Sequence, residues 1–286
     1  MVRKVLRITA MVLLSVLTVI VLWVANGFFG NPVSWVLART GVNRYVEQTY
    51  SHLDLHTERF GHDFKTGGYY AYLCSETSAD TAFYVRTDML GRIRQDSFDI
   101  WVAHKYNTEL RIREEYRLLA DTVFQSGTIP YAMDIGYGDI TFAGDEQWGE
   151  AECAFALSRE ILELDKVYDV KELADLAGVL TVYAMDETVT VQKAAEIMLC
   201  IRSAFEEAQV PFRLLDFVLR TPMPEDGSPW PDTAVYARIL YEDIKDEGME
   251  ERVRESHEAI VEEYAQLDEE KPWKQQVMID ITRKSV

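Results

Sequence analysis

Five residues of metal-ligand type, His52, Asp54, His56, His62 and Asp63, crowd the stretch HLDLHTERFGHDF, and imidazole with carboxylate is a donor set that suits zinc and other transition metals. The same stretch reads as a strand from Leu53 to Phe64. On a strand His52, Asp54, His56 and His62 share one face and Asp63 takes the other, with His62 ~20 Å from His56 in a fully extended chain. One compact site would need a bend, so a solvated surface is expected here and no metal.

Other fragments begin a motif and do not finish it. HEAIV at His257 starts H-E-x-x-H, but Val261 holds the second histidine position, which leaves zinc short of ligands. FKTGGYY carries Lys65 beside two glycines, but strands flank it where a phosphate loop needs a following helix. DIGYGDITFAGDE, with Gly136 and Gly138, completes neither a calcium loop nor a dinucleotide fingerprint, and a twisted hairpin is expected. No G-x-S-x-G occurs, and sequence order alone selects no Ser-His-Asp set and no glycosidase pair among 48 acids. No catalytic, cofactor-binding or metal residue is therefore assigned, and no cofactor is expected.

One exposed connection is more specific. TPMPEDGSPWPD, Thr221 to Asp232, holds four of the eight prolines and Trp230. Loops carry binding more often than the scaffold beneath them, so Trp230 is the candidate contact for a partner, against the simpler reading of a rigid link between two strands.

The elements that must position these residues alternate in period. VSWVLARTGVNRYVEQTY spaces Ala38, Val42, Tyr45, Val46 and Tyr50 as a helix, with Pro32 in its first turn. Strand-like runs follow at Leu53 to Phe64, Tyr69 to Cys74, Thr81 to Arg86 and Ile93 to Phe98, separated by turn chemistry, so one helix and an antiparallel meander are expected. His104 to Phe124 returns to helical spacing. Beyond Gly127 and Pro130 come strand-like YAMDIGYGDITF and AECAFALSREI, a helix Val170 to Ala177 capped by Asp169, and a strand Val179 to Met185. A helix Val191 to Gln209 follows with an apolar stripe of Ala194, Met198, Ile201 and Phe205. Strands Phe212 to Leu219 and Ala234 to Tyr241 and a charged helix Met249 to Leu267 complete the order. The fold class is α+β.

Ahead of all this, Arg3, Lys4 and Arg7 precede a span, Ile8 to Ala38, without a single Asp, Glu, Lys or Arg. Its dense part, Ile8 to Phe29, makes a helix of about 33 Å against a hydrocarbon core of about 30 Å. Thr9, Ser15 and Thr18 can return their hydroxyls to the preceding turn, and Trp23, Phe28 and Phe29 suit the interface. A retained anchor with the amino terminus inside is favoured over a cleaved leader, for which Ala25-Asn26-Gly27 would be the site, because the apolar run exceeds the usual ~7–15 residues of a leader. The expected organisation is a cytoplasmic tip 1–7, a transmembrane helix 8–29, and extracytoplasmic α+β domains at 30–126 and 131–286.

Charge narrows the partners. The formal charge is −19, and the only charges in the first 29 positions are three basic ones, so the remainder carries −22. Such a surface repels nucleic acid and anionic lipid headgroups. Hydrophobic and aromatic contents of 48% and 12% are enough for packed cores, which excludes a disordered chain. Cys74, Cys153 and Cys200 lie far apart with no C-x-x-C and are expected as small buried hydrophobes.

The phrases GNPVSWVLA, FKTGGYYAYL, SETSADTAFYV and NTELRIREEY, in that order over Gly30 to Arg117, resemble the YfjL-like family of small membrane-anchored proteins from Gram-positive Firmicutes. The resemblance implies a single-pass protein with an extracytoplasmic α+β portion, no established activity, and by analogy a cystatin-like helix-on-sheet arrangement in the first domain. With no catalytic motif complete, the expectation is a non-catalytic interaction module of the cell envelope with an envelope protein or peptide as partner; the alternative is an envelope hydrolase using carboxylates or a metal.

Overall fold

The computed structural model describes residues 2–143, 154–223 and 233–270. The chain divides into two compact units, Met1–Glu109 with Leu162–Lys166, and Leu110–Ile161 with Val167–Val286.

The first unit opens with α1, Val2–Phe29. Every side chain from Met11 to Val24 is exposed, so this helix is long and apolar enough to cross a membrane and packs its apolar surface into no core. Ser15 and Thr18 donate to the carbonyls of Met11 (2.9 Å) and Leu14 (2.8 Å), which satisfies both hydroxyls inside the helix. The helix ends at Gly30, whose φ of +70° is left-handed and whose Cβ, were there one, would stand 2.4 Å from the Tyr69 hydroxyl. Asn31 then caps α2, Pro32–Thr49, by accepting from the Ser34 N–H at 2.8 Å, with Pro32 in the first turn.

Helix α2 lies on a four-stranded antiparallel sheet in the order β1 (Leu55–Asp63), β2 (Gly68–Ser75), β3 (Ala82–Thr87), β4 (Ile93–Asp96). Alternation decides its two faces. Ala71, Leu73, Phe83 and Val85 point inward onto Val42 and Tyr50, and the Tyr50, Phe83 and Phe98 rings meet at 4.8–5.2 Å. Tyr45 and Tyr50 both donate to Asp96 Oδ2 at 2.7 Å, tying the end of α2 to β4. A π-helical turn, Asp99–Ala103, leads into α3, Tyr106–Phe124.

The second unit has a mixed sheet in the order β5 (Ala132–Ile140), β6 (Gly178–Met185), β7 (Leu214–Arg220), β8 (Ala234–Leu240). The outer pairs are antiparallel and β6 and β7 are parallel. A parallel pair needs a crossover, supplied by α5, Val191–Glu207, capped by Thr190. Ala194, Met198, Ile201 and Phe205, the stripe expected from the sequence, are all buried. The α3 stripe Ile112, Tyr116, Ala120 and Val123 is buried as well, and a Cβ at Gly138 would stand 2.7 Å from Ala120. The glycines of DIGYGD thus lie within β5, where they admit a helix, and make no hairpin. The short α4, Val170–Ala177, is capped by Asp169 as expected, and α6, Met249–Glu270, packs on β8.

Two further expectations fail. The stretch read as a strand at AECAFALSREI shows, from Ala154 on, turns, one bridge from Leu157 to Phe142 and a 3-10 turn at Arg159–Ile161. Cys74 and Cys200, expected as buried, are half-buried and unbridged, and Cys153 lies outside the described residues.

Candidate functional site

The histidine-rich strand does not gather a site. A bulge between Thr57 and Arg59 adds a residue to β1 and inverts its alternation. His56 is opposite Cys74 on the outer face, whereas His62 is opposite Tyr69 on the inner face, where its ring meets Tyr69 at 5.1 Å and its Nδ1 lies 3.2 Å from the Phe28 carbonyl oxygen. Among the described residues no three His, Cys, Asp or Glu side chains are grouped to hold a metal.

His257 serves the fold instead of chemistry. Strand β8 is an edge of its sheet; His257 Nδ1 accepts from the Tyr236 N–H at 3.2 Å, and Ser256 Oγ accepts from the Arg238 N–H at 2.8 Å and donates to the Arg238 carbonyl at 3.3 Å. Side chains of α6 thus occupy backbone groups that an open edge would offer to another strand. Lys65 sits in the β1–β2 turn, whose Asp63 accepts from its N–H. Trp230 lies outside the described residues.

The structure instead shows an aromatic surface on the outer face of the first sheet. In β2, YYAYLC turns Tyr70, Tyr72 and Cys74 outward, and the register sets Tyr72 against Tyr84 of β3 and Tyr70 against Arg86. Ring centroids lie 4.6 Å apart for Tyr72 and Tyr84 and 6.4 Å for Tyr70 and Tyr84; the row continues from Tyr84 to Trp101 (6.4 Å) and Tyr106 (5.1 Å). The alternating tyrosines were the sequence signal for this face.

Two of its polar groups, Cys74 and Tyr72, are held protonated. The Cys74 thiol donates to Glu58 Oε2 at 3.2 Å and is pushed up to about 11, first by burial and then by the bond to Glu58 and that carboxylate's charge. Burial likewise raises Tyr72, and the nearby Glu58 carboxylate adds to it. A thiol so shifted is the opposite of an activated nucleophile. The face can stack and exchange hydrogen bonds.

Ionisable clusters in the second unit are self-contained. Arg113 makes two 2.7 Å bonds to Asp139, Tyr131 and Lys193 share Glu196, and Arg202 and Tyr241 share Glu206. A shallow hollow of about 300 Å³ is lined by Ala154, Phe155, Arg213, Leu214, Arg238 and Leu240; Arg213 is engaged there by Glu242 at 2.7 Å.

An exposed apolar helix leading into a helix-on-antiparallel-sheet unit, followed by a second α+β unit with a mixed sheet, defines the class of protein. The chain belongs to the YfjL-like family: the YfjL-like N-terminal domain matches residues 5–97 and the YfjL-like C-terminal domain residues 115–254. No curated protein matches the chain. Among solved structures, the crystal structure of a DUF5037 family protein from Ruminococcus gnavus is similar over 77% of this chain and 98% of its own, with 11% identity and a TM-score of 0.23, a likeness too slight to carry an argument.

Proposed function

We propose that the chain is a single-pass protein of a Gram-positive cell envelope, amino terminus inside, whose two extracytoplasmic units form a non-catalytic interaction module. The membrane part is supported by α1, whose apolar side chains from Met11 to Val24 are exposed throughout. The interaction part rests on one observation, the row Tyr70, Tyr72, Tyr84, Trp101 and Tyr106 on and beside the outer face of the first sheet. Phenol and indole rings offer large contact area at low entropic cost and a polar tip to pair, the composition of protein-binding surfaces. A polypeptide of the envelope is the partner this face fits. The formal −22 beyond residue 29 favours a basic partner and opposes nucleic acid. The helix α2 laid on an antiparallel sheet supports a cystatin-like relationship for the first unit, though fold likeness supplies no function.

A photo-crosslinking residue in place of Tyr84, in cells expressing the full chain, is expected to yield a discrete adduct that the same residue in place of Glu47, on the exposed side of α2, does not give, and that Tyr72→Ala removes. No adduct at position 84, or the same adduct from both positions, contradicts the reading. Trp230 is proposed as a further contact, checked by Trp230→Ala in the same assay.

A further inference from the structure

The apolar run does not stop where α1 stops. No charged residue occurs from Ile8 to Ala38, yet only Ser34 and Ala38 in the opening turns of α2 are buried. Val33, Val36 and Leu37 are 70, 55 and 42% exposed, so core packing does not account for them, whereas the Trp35 ring meets Phe60 edge-on at 5.7 Å. Past Ala38 the exposed positions of the same helix turn polar: Arg39, Thr40, Asn43, Arg44, Glu47 and Gln48.

Two turns of the sheet lie at this end. In the antiparallel order β1-β2-β3-β4 the β1–β2 and β3–β4 connections share one end. Asp63 fixes the first turn by accepting from the Lys65 N–H at 3.0 Å; Asp88 fixes the second by accepting from the Leu90 and Arg92 N–H groups at 2.9 and 3.0 Å. Each turn presents one large apolar side chain, Phe64 at 57% and Leu90 at 61% exposure. Phe64 stacks on Phe28 of α1 at 5.9 Å. The second turn rests on α2, since a Cβ at Gly91 would stand 2.3 Å from the Leu37 carbonyl oxygen. Arg39, Lys65 and Arg92 are exposed around this collar, and the Arg39 guanidinium lies 5.1 Å from the centre of the Trp35 ring.

We propose that this end of the first unit is a second membrane contact, in which Val33, Val36, Leu37, Phe64 and Leu90 enter the interfacial layer of the bilayer that α1 crosses while Arg39, Lys65 and Arg92 reach headgroup phosphates. The inference rests on the anchor reading above. A lipid surface is the occupant the geometry favours over a protein, because α1 leaves the bilayer beside this patch: Phe28, still in α1, stacks on Phe64. Aromatic rings settle at the interface, and long basic side chains bury their stems while their charges stay among headgroups. With the rest of the ectodomain acidic, a local basic collar also gives the unit one preferred way to face an anionic surface.

The test is spin-label depth measurement on the full chain reconstituted in vesicles of phosphatidylglycerol and phosphatidylcholine. Single labels replace Phe64 or Leu90, with Leu17 as the reporter in α1 and exposed Ala79, in the β2–β3 turn at the far end of the sheet, as the aqueous reference; Cys74, Cys153 and Cys200 are replaced by Ser. Labels at 64 and 90 are expected to show a ratio of oxygen to nickel-chelate collisions several-fold above that at 79, and Phe64→Asp combined with a label at 90 is expected to return position 90 toward the aqueous value. Aqueous values at 64 and 90 with a lipid value at 17 overturn this inference alone. Aqueous values at 17 as well overturn the anchor reading with it.

Discussion

Asp80 and Asp165, 85 residues apart, bond each other twice: the Asp80 N–H donates to Asp165 Oδ1 at 3.1 Å, and the Asp165 N–H donates to Asp80 Oδ2 at 2.8 Å. Thr108 Oγ1 donates to the same Asp80 oxygen at 2.8 Å, and the Asn107 amide reaches the Asp80 and Ala82 carbonyls at 2.8 and 2.7 Å. This knot is the physical reason that Leu162–Lys166 belongs to the first unit.

Because Asp80 is 1% exposed, Asp80→Ala leaves a buried hydroxyl and a backbone N–H without their acceptor, and a loss of about 2–4 kcal/mol is expected from the two together. Asp165→Ala removes one acceptor and should cost about 1 kcal/mol. The readouts are the urea midpoint of the first unit, which both variants should lower, and the rate of protease cleavage within 162–166, which both should raise. Unchanged cleavage in Asp80→Ala would contradict the account.

The cover on β8 makes a second prediction. Ser256→Ala and His257→Ala each uncover backbone groups of an edge strand, at about 1 kcal/mol apiece, and together should promote strand addition between chains. Light scattering during mild heating measures this; a double variant no more prone to aggregate than the wild type would sink it.

Cys74 makes a third. Its thiol is raised to about 11 from a usual value near 8.5, so folded protein should alkylate at Cys74 more slowly than unfolded protein at pH 8. The rate should climb as the pH approaches 11, because only the thiolate attacks. The linkage has the same sign: the raised value favours the folded state fully below the unfolded thiol's pKa, and that contribution fades as pH rises through the folded one. Glu58→Gln removes the neighbouring charge and should speed alkylation at pH 8. Peptide mapping after timed iodoacetamide treatment separates Cys74 from the other two thiols.

How much of this was legible depended on whether the cause was local. The first sheet was read nearly strand for strand, because YYAYLC and AFYVRT alternate and turn residues separate them. The bulge at Thr57–Arg59 was not, since an extra residue leaves no compositional mark, and it alone moved His62 to the face opposite His56. The parallel pairing of β6 with β7 was also hidden: strand propensity does not record the direction of a neighbour, although the near-continuous burial of GVLTVYAM in β6 fits a strand covered on both faces. The clamp between Asp80 and Asp165 was beyond reach, being a contact between two loops of unremarkable composition. The aromatic face was not singled out, although Tyr70, Tyr72 and Tyr84 have the spacing of one strand face, and its continuation to Trp101 and Tyr106 follows from the π-helical turn.

In the proposed topology α1 remains in the membrane and both units lie outside. Protease treatment of intact protoplasts expressing a carboxy-terminally tagged chain, with the mature amino terminus sequenced from the same sample, tests it directly. The account predicts a membrane-bound protein that keeps the sequence before Ile8 and loses its tag to external protease. A soluble product beginning near Phe28, or a tag that stays protected while the membrane is intact, would contradict it.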